Sequence, residues 1–450
     1  MFRQAVAAVA LLFVATPALA QDPARMDEVV SAEADTGSYM GAVLVAKGDE
    51  ILLDKGYGSA NLEWGIANTP EAKFRIGSVT KQFTAASILL LAEQGRLTLD
   101  APVKTYWPTA PATWDAITVR HLLQHTSGIP NVTDFDDFGT IKFLPTTRDD
   151  LIARFADAPL DFTPGEKWSY SNSGYLVLSA IVEEVSGQDY ASFVDANIFQ
   201  PLGMDDTAID VTADIVPMRA SGYQPGPEGP INAEYVNMAI PQGAGALYST
   251  THDLLRWQRG LFGGELLQPA SLAAMTAPGV DARGDATYGL GVLVTQNDAG
   301  KMVWHGGGIE GFNAMLMHDP AREITVVVLA NINGGQASQL GVDLMTLARG
   351  GEVVLQSERV AVAVDSATLE DYVGSYALSP DFKIRVFLEE GQLKTQATNQ
   401  PSFDLFAEEQ DDRFFLKEVD AQLQFNRGAD GEVVSLTLFQ GGREIVGKKE

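Results

Sequence analysis

Apolar positions divide this chain into three stretches of different rhythm. A helix is predicted over about Arg25 to Ala34. Two apolar runs follow, Ala42 to Ala46 and Ile51 to Leu53, around the turn Lys47-Gly48-Asp49-Glu50, and they read as a β-hairpin. The run Phe83 to Gln94 (FTAASILLLAEQ), stopped by Gly95, is apolar on all sides in its middle, the pattern of a buried helix rather than a surface one. From about Pro108 to Met238 short helical patterns are broken by Pro, Gly and Asp. Thr250 and Asp253 have capping-box spacing and predict a helix start, with Asp in place of the usual Glu. Strand-like runs come next at Tyr288 to Thr295, Gly311 to His318 and Glu323 to Asn331, joined by connections short enough for antiparallel neighbours. A helix over about Gln336 to Ala348 closes the unit.

Strands thus occupy both ends of this unit and helices its middle. The fold class expected is α+β: one antiparallel sheet made from the two ends, flanked by helices, with an inserted helical subdomain and a cleft between the two. Past Gly351 to Ser366 only strands are legible: Tyr372 to Ala377, Lys383 to Leu388, Leu393 to Thr398, Arg413 to Leu416, Gln422 to Asn426, Val433 to Phe439 and Glu444 to Val446. The turn signals Glu390-Gly391, Asp430-Gly431 and Gly441-Gly442 separate some of them. That tail is expected to form a small all-β barrel. The organisation read from the chain is a leader at 1–20, a first domain at 21–352, a linker at 353–366 and the barrel at 367–450.

Composition narrows the setting. The apolar and charged fractions, 46% and 20%, are those of a globular protein. The first twenty residues, MFRQAVAAVALLFVATPALA, join one positive charge, an apolar stretch and a small-x-small ending at Ala18 and Ala20. This is the pattern of a secretory signal peptide cleaved after Ala20, and its apolar part is too short to anchor in a membrane. Export to the periplasm or the medium is the expectation. Lys and Arg number 31 against 59 Asp and Glu, a net charge of −28, or −29 once Arg3 leaves with the leader. Phosphate backbones and anionic membrane surfaces would repel such a chain, so no nucleic-acid partner and no membrane anchor are expected. The chain contains no cysteine, which excludes disulfides, thiolate metal sites and a cysteine nucleophile.

Three short motifs could carry chemistry. Ser78 and Lys81, in RIGSVTKQFTA, stand three apart and share one face of a helix. Serine needs a base to become a nucleophile, and lysine can serve only when burial or a nearby cation lowers its proton affinity. A helix N-terminus also offers N–H groups to an oxyanion. Alone, the pair equally describes a capping serine followed by a solvated lysine. Tyr170-Ser171-Asn172, in WSYSNSGY, places a phenol and an amide two residues apart in a polar turn. His305-Gly306-Gly307-Gly308 precedes a strand, and its glycines permit close backbone approach. His121 and His125 have the i, i+4 spacing of a metal pair, but HLLQH lacks the glutamate of a zinc peptidase, and a structural role is favoured. No Gly-x-Ser-x-Gly elbow occurs, and no carboxylate pair has defensible glycosidase spacing.

In this order the three motifs resemble the serine β-lactamase and penicillin-binding protein superfamily, in its class C-like branch. FRIGSVTKQFTA, HLLQHTSGIPN (121–131), PGEKWSYSNSGYLVLSAIVEEVSG (164–187), YSTTHDLLRW (248–257), YGLGV (288–292) and HGGGIEGF (305–312) are similar to segments of that branch, over roughly residues 25 to 350. The tail is similar to the lipocalin-like domain that often follows it. The resemblance implies Ser78 as the acylated nucleophile and Lys81 and Tyr170 sharing the proton transfers, the phenol kept acidic by the ammonium. It implies Asn172, His305 and Gly307 at the substrate, and the backbone N–H groups of Ser78 and Gly308 as the oxyanion hole, without metal or cofactor. Where β-lactamases and transpeptidases usually keep a lysine that helps bind the substrate carboxylate, this chain has His305, and residue 306 is glycine. The expectation is an exported serine hydrolase acting on a small-molecule or peptide ester, amide or lactam, foremost an esterase or D-amino-acid-specific peptidase. A class C-like β-lactamase or D-alanyl-D-alanine carboxypeptidase is the alternative. Of another class is a catalytically inactive penicillin- or peptide-binding protein.

Overall fold

The computed structural model describes residues 21–334, 336–440 and 443–450. The leader expected at 1–20 and the turn signal at Gly441-Gly442 lie outside the described residues. Eight antiparallel strands form the central sheet, in the order Val280–Arg283, Ala286–Tyr288, Leu293–Asn297, Gly300–Ile309, Phe312–Asp319, Ile324–Ala330, Gly41–Lys47 and Glu50–Tyr57. The N-terminal hairpin therefore joins the C-terminal strands through Gly41–Lys47 and Ile324–Ala330, paired from Gly41↔Ala330 to Lys47↔Ile324.

Both of these strands are buried on both faces. Ala42, Leu44 and Ala46 enter the larger core, whereas Val43 and Val45 enter a second one on the opposite side. Helices Pro23–Asp35 and Gln336–Ala348 close that second core. The larger core is covered by helices Thr80–Glu93, Asn172–Ser186 and Thr251–Phe262. Helix Thr80–Glu93 runs through its centre, with Phe83 4.1 Å (ring centroids) from Trp257, whose indole N–H donates to Gln82 Oε1 at 2.8 Å. Truncating Phe83 to Ala would cost about 3–5 kcal/mol. The cap predicted at Thr250 is half a capping box. Thr250 accepts from Asp253 N–H at 3.2 Å, while the Asp253 carboxylate accepts from Thr207 and Arg256 instead of returning to the cap.

Three strand expectations need correction. Tyr288 to Thr295 is not one strand, because the chain turns at 289–292, where Gly289 N–H donates to Val292 O at 2.9 Å. His305 to Gly308 do precede the strand Phe312–Asp319, but they also lie inside another, Gly300–Ile309, whose run of glycines at 306–308 masks its strand pattern. In the tail, Ser402–Asp404 and Phe406–Ala407 were not legible, being too short to show alternation. These two strands are the opposite edges of a nine-stranded antiparallel sheet, yet only Leu405 separates them in the chain. The sheet therefore curls into a nearly closed barrel. Tyr372, Tyr376, Phe414, Leu423, Phe425 and Leu436 fill its interior. Among the described residues no helix is long and apolar enough to cross a membrane.

Candidate active site

Ser78 sits in a short turn, Gly77–Val79, that feeds directly into helix Thr80–Glu93. The helix thus begins three residues before the predicted Phe83. Gly77 adopts φ +49°, and a Cβ there would stand 2.8 Å from Gly308 N. A Cβ on Gly307 would run into the Ile76 carbonyl. The two backbones are therefore pressed together, which only glycine at both places allows. Pairing with Leu293–Asn297 ends at Trp304, so the edge of the strand from His305 onward is left for the Ser78 turn. The Cα of Gly307 thus packs against the Ile76 carbonyl.

Lys81, the second residue of helix Thr80–Glu93, is completely buried. Its Nζ lies 3.1 Å from Ser78 Oγ, 2.8 Å from Asn172 Oδ1 and 2.8 Å from the Ala244 carbonyl, and 4.7 Å from the centre of the Tyr170 ring. Burial holds the amine well below the usual lysine range. Ala244 O is held in place because the neighbouring Gly243 carbonyl accepts from Thr84 Oγ1 at 2.6 Å. Asn172 opens helix Asn172–Ser186, and its N–H donates to Asn131 Oδ1 at 3.0 Å.

The Tyr170 ring lies against the same amine, so the structure brings Ser78, Lys81, Tyr170 and Asn172 to one point. Its ionisation behaves differently from what the resemblance implied. Burial pushes the phenol up, and the nearby Ser78 hydroxyl and the charge of Arg283 only partly oppose this. Lys81 does not keep it acidic, because the same burial that raises the phenol also removes the ammonium's advantage.

His305 is buried, 3% exposed, with Nδ1 2.6 Å from Gly306 O and Nε2 3.0 Å from the Tyr288 hydroxyl. The carbonyl can only accept, so Nδ1 carries the proton and Nε2 accepts from Tyr288. Burial and the nearby Lys81 lower its pKa to about 3. The side chain expected at the substrate is thus a neutral part of the cleft wall. His121 and His125 do not make a metal pair: His121 Nδ1 accepts from Thr118 N–H at 3.3 Å, capping its helix, and His125 Nδ1 accepts from Ser171 N–H at 3.1 Å.

Four participants were missed in the sequence. The Ala244 carbonyl left no signal, since it stands far from the motif it serves, and Asn131, though it ends HLLQHTSGIPN, had no assigned task. Tyr288 lies within YGLGV but had no assigned task. Arg283, exposed on the hairpin of Val280–Arg283 and Ala286–Tyr288, is 6.0 Å from the Tyr170 ring and 5.9 Å from Trp168, and it forms no ion pair among the described residues.

Comparison with known proteins matches this geometry. The β-lactamase family profile fits residues 26–348, and a domain of unknown function, DUF3471, fits residues 358–449. A penicillin-binding protein of Bacillus subtilis (strain 168) is 29% identical over 430 residues, covering 90% of this chain and 94% of its own. The octameric penicillin-binding protein homologue from Pyrococcus abyssi superposes with a TM-score of 0.68 at 25% identity, covering 95% of this chain and 100% of that one. A D-stereospecific amidohydrolase from Streptomyces sp. does so with a TM-score of 0.61 at 28% identity, over 69% of this chain and 94% of that one. Fold and site together define a serine hydrolase. The chain belongs to the β-lactamase family, among relatives that include penicillin-binding proteins and a D-stereospecific amidohydrolase.

Proposed function

We propose that the protein is an exported hydrolase that forms an acyl-enzyme at Ser78, acting as an esterase or a D-amino-acid-specific peptidase on a small-molecule or peptide substrate. The observation that carries this reading is the set of three oxygens around Lys81 Nζ. The Asn172 and Ala244 oxygens can only accept, so they take two N–H groups of a neutral amine. The remaining lone pair then meets Ser78, whose oxygen is the one that bears a proton to give.

Ser78 Oγ attacks the substrate carbonyl as its proton passes to Lys81 Nζ. The oxyanion forms between the N–H groups of Ser78 and Gly308, whose backbone abuts the turn at Gly77. Collapse breaks the bond to the leaving amine or alcohol, which takes the phenolic proton of Tyr170. Lys81 returns a proton to the phenolate. Water, giving a proton to Lys81, then attacks the acyl-serine, and Ser78 leaves carrying the proton back. A phenol held protonated by burial suits a donor better than a base.

Substrate choice follows from the cleft wall. Neutral His305 supplies no cation where related enzymes keep lysine, which favours esters and D-amino-acid amides. A second reading, a class C-like β-lactamase or D-alanyl-D-alanine carboxypeptidase, has Arg283 in its favour, an exposed guanidinium reaching Tyr170. Export rests on the leader pattern at 1–20, and a division into 21–352, a linker at 353–366 and a barrel at 367–450 is proposed, with two separate family matches, 26–348 and 358–449, supporting two domains though not those bounds.

Comparing kcat/KM on a chromogenic ester, a D-amino-acid amide and a β-lactam, for the wild type and Ser78→Ala, tests the proposal. Turnover of the first two, lost in the variant with labelling by a fluorophosphonate, is expected. Turnover persisting in Ser78→Ala would overturn the assignment, and absence of both turnover and label in the wild type would leave a binding protein.

A further inference from the structure

We infer that His125 is a positioning residue for Tyr170, holding the phenol at Ser78 by gripping the chain on both sides of it. The His125 carbonyl accepts from Ser169 N–H at 2.9 Å, and its ring Nδ1 accepts from Ser171 N–H at 3.1 Å. Tyr170 is the residue between these two anchors. Alternate N–H groups of an extended segment point the same way, so one residue can take both. The imidazole then lies against the phenol ring it brackets, with centroids 4.3 Å apart.

The backbone of His125 is built for this grip. It adopts φ +57°, a left-handed conformation that histidine and asparagine enter more readily than most residues. This turn presents carbonyl and ring to the same segment. The ring is 1% exposed and is packed on its other sides by Tyr175, at 5.1 Å, and Tyr288, at 4.6 Å. Because Nδ1 accepts, Nε2 carries the proton, and that buried N–H has no partner among the described residues. A histidine chosen only to fill the core gains nothing from leaving a buried donor unpaired. The acceptor at Nδ1 is the feature that requires a nitrogen here. Ser171 is further tied by its Oγ to Ile129 O at 3.1 Å, so the segment 125–131 forms the bed on which Tyr170 and Asn172 are laid.

The inference rests on the reading of Tyr170 as a proton carrier, and the two fail separately. The experiment uses the full chain, with active sites counted by fluorophosphonate burst so that unfolded protein is discounted. His125→Phe keeps a ring and loses the acceptor; His125→Asn keeps an acceptor near Nδ1 and accepts the left-handed backbone. Expected is a drop in kcat per active site of about 10–100-fold for His125→Phe with KM within about twofold, and a loss under about fivefold for His125→Asn. In a Tyr170→Phe background, adding His125→Phe costs no further activity. Equal kcat per site in wild type and His125→Phe would overturn the inference. So would equal losses in the Phe and Asn variants, or a full-sized additional loss without the Tyr170 hydroxyl, a measurement that His125→Asn supplies if the Phe variant does not fold. Unchanged activity in Tyr170→Phe itself would instead overturn the proton-carrier reading.

Discussion

Lys81 Nζ stands 3.1 Å from Ser78 Oγ, wholly buried and with no ion-pair partner among the described residues. An ammonium there would have lost its water without gaining a counter-charge, so the fold favours the neutral amine. The burial that makes this position unfavourable for a charged lysine is what makes the lysine a base.

Stability should show that cost. The unfolded chain keeps Lys81 protonated up to about pH 10.4, whereas the fold does not, so this group makes stability rise with pH across the gap. Lys81→Met removes hydrolysis and also this dependence. Relative to wild type, the variant should gain stability as pH falls below about 10, by up to about 1.4 kcal/mol per pH unit, until pH reaches the lowered pKa of Lys81 in the fold. Urea melts at several pH values check it, and a flat difference would mean a charged lysine in the fold.

His305 should contribute to acid unfolding in the opposite pH range. Its pKa falls to about 3 in the fold, from an ordinary value of about 6.5. The unfolded state therefore binds more protons between these values, and stability is full above pH 6.5 and is lost as pH drops toward 3. His305→Gln removes one such proton and should make the stability curve below pH 6.5 shallower. At pH 7 the change should stay within about 1 kcal/mol, since the introduced glutamine carbonyl can still accept from the Tyr288 hydroxyl.

Gly307 tests the close approach of strand to turn. Gly307→Ala sets a methyl group against the Ile76 carbonyl, two residues before Ser78. Backbone must shift, and we expect about 1–3 kcal/mol of destabilisation with kcat reduced about 100-fold or more. A wild-type rate of labelling by fluorophosphonate in this variant would show that the turn is less tightly held.

Asp343 lies away from the site, in a cavity between the first domain and the barrel. It accepts from Gln339 Nε2 at 2.8 Å, and burial, aided by the charge of Asp420, pushes its pKa up to about 6. A carboxyl raised in the fold binds its proton more readily than when unfolded, so stability falls as pH rises from about 4 to 6. Asp343→Asn should therefore stabilise the protein by about 1–3 kcal/mol at pH 7 and by nothing at pH 4, read from thermal melts.

The parts of the fold that were legible depend on local pattern. The short apolar run Ala42–Ala46 and the alternation in the tail predicted strands, and the longer unbroken apolar stretch after Phe83 predicted a buried helix, because burial on one face, or on all, leaves its mark in the sequence. Where side chains carry no pattern, the reading failed. Gly306, Gly307 and Gly308 hid a strand, Phe406–Ala407 was too short to alternate, and the turn at 289–292 interrupted a run of suitable residues.

The sequence by itself determined that a serine and a lysine three apart would share a helical face, that a phenol and an amide would follow in one turn, and that the chain would be strongly acidic and free of cysteine. Those are properties of spacing and composition, which need no partner. Tertiary structure decided that the Asn172 amide and the Ala244 carbonyl, 91 and 163 residues from Lys81, would meet its amine. It decided that His305 would turn inward to Tyr288, and that His125 would bracket Tyr170. It also decided every proton affinity at the site, because desolvation and distant contacts set them, and neither is a local property of the chain.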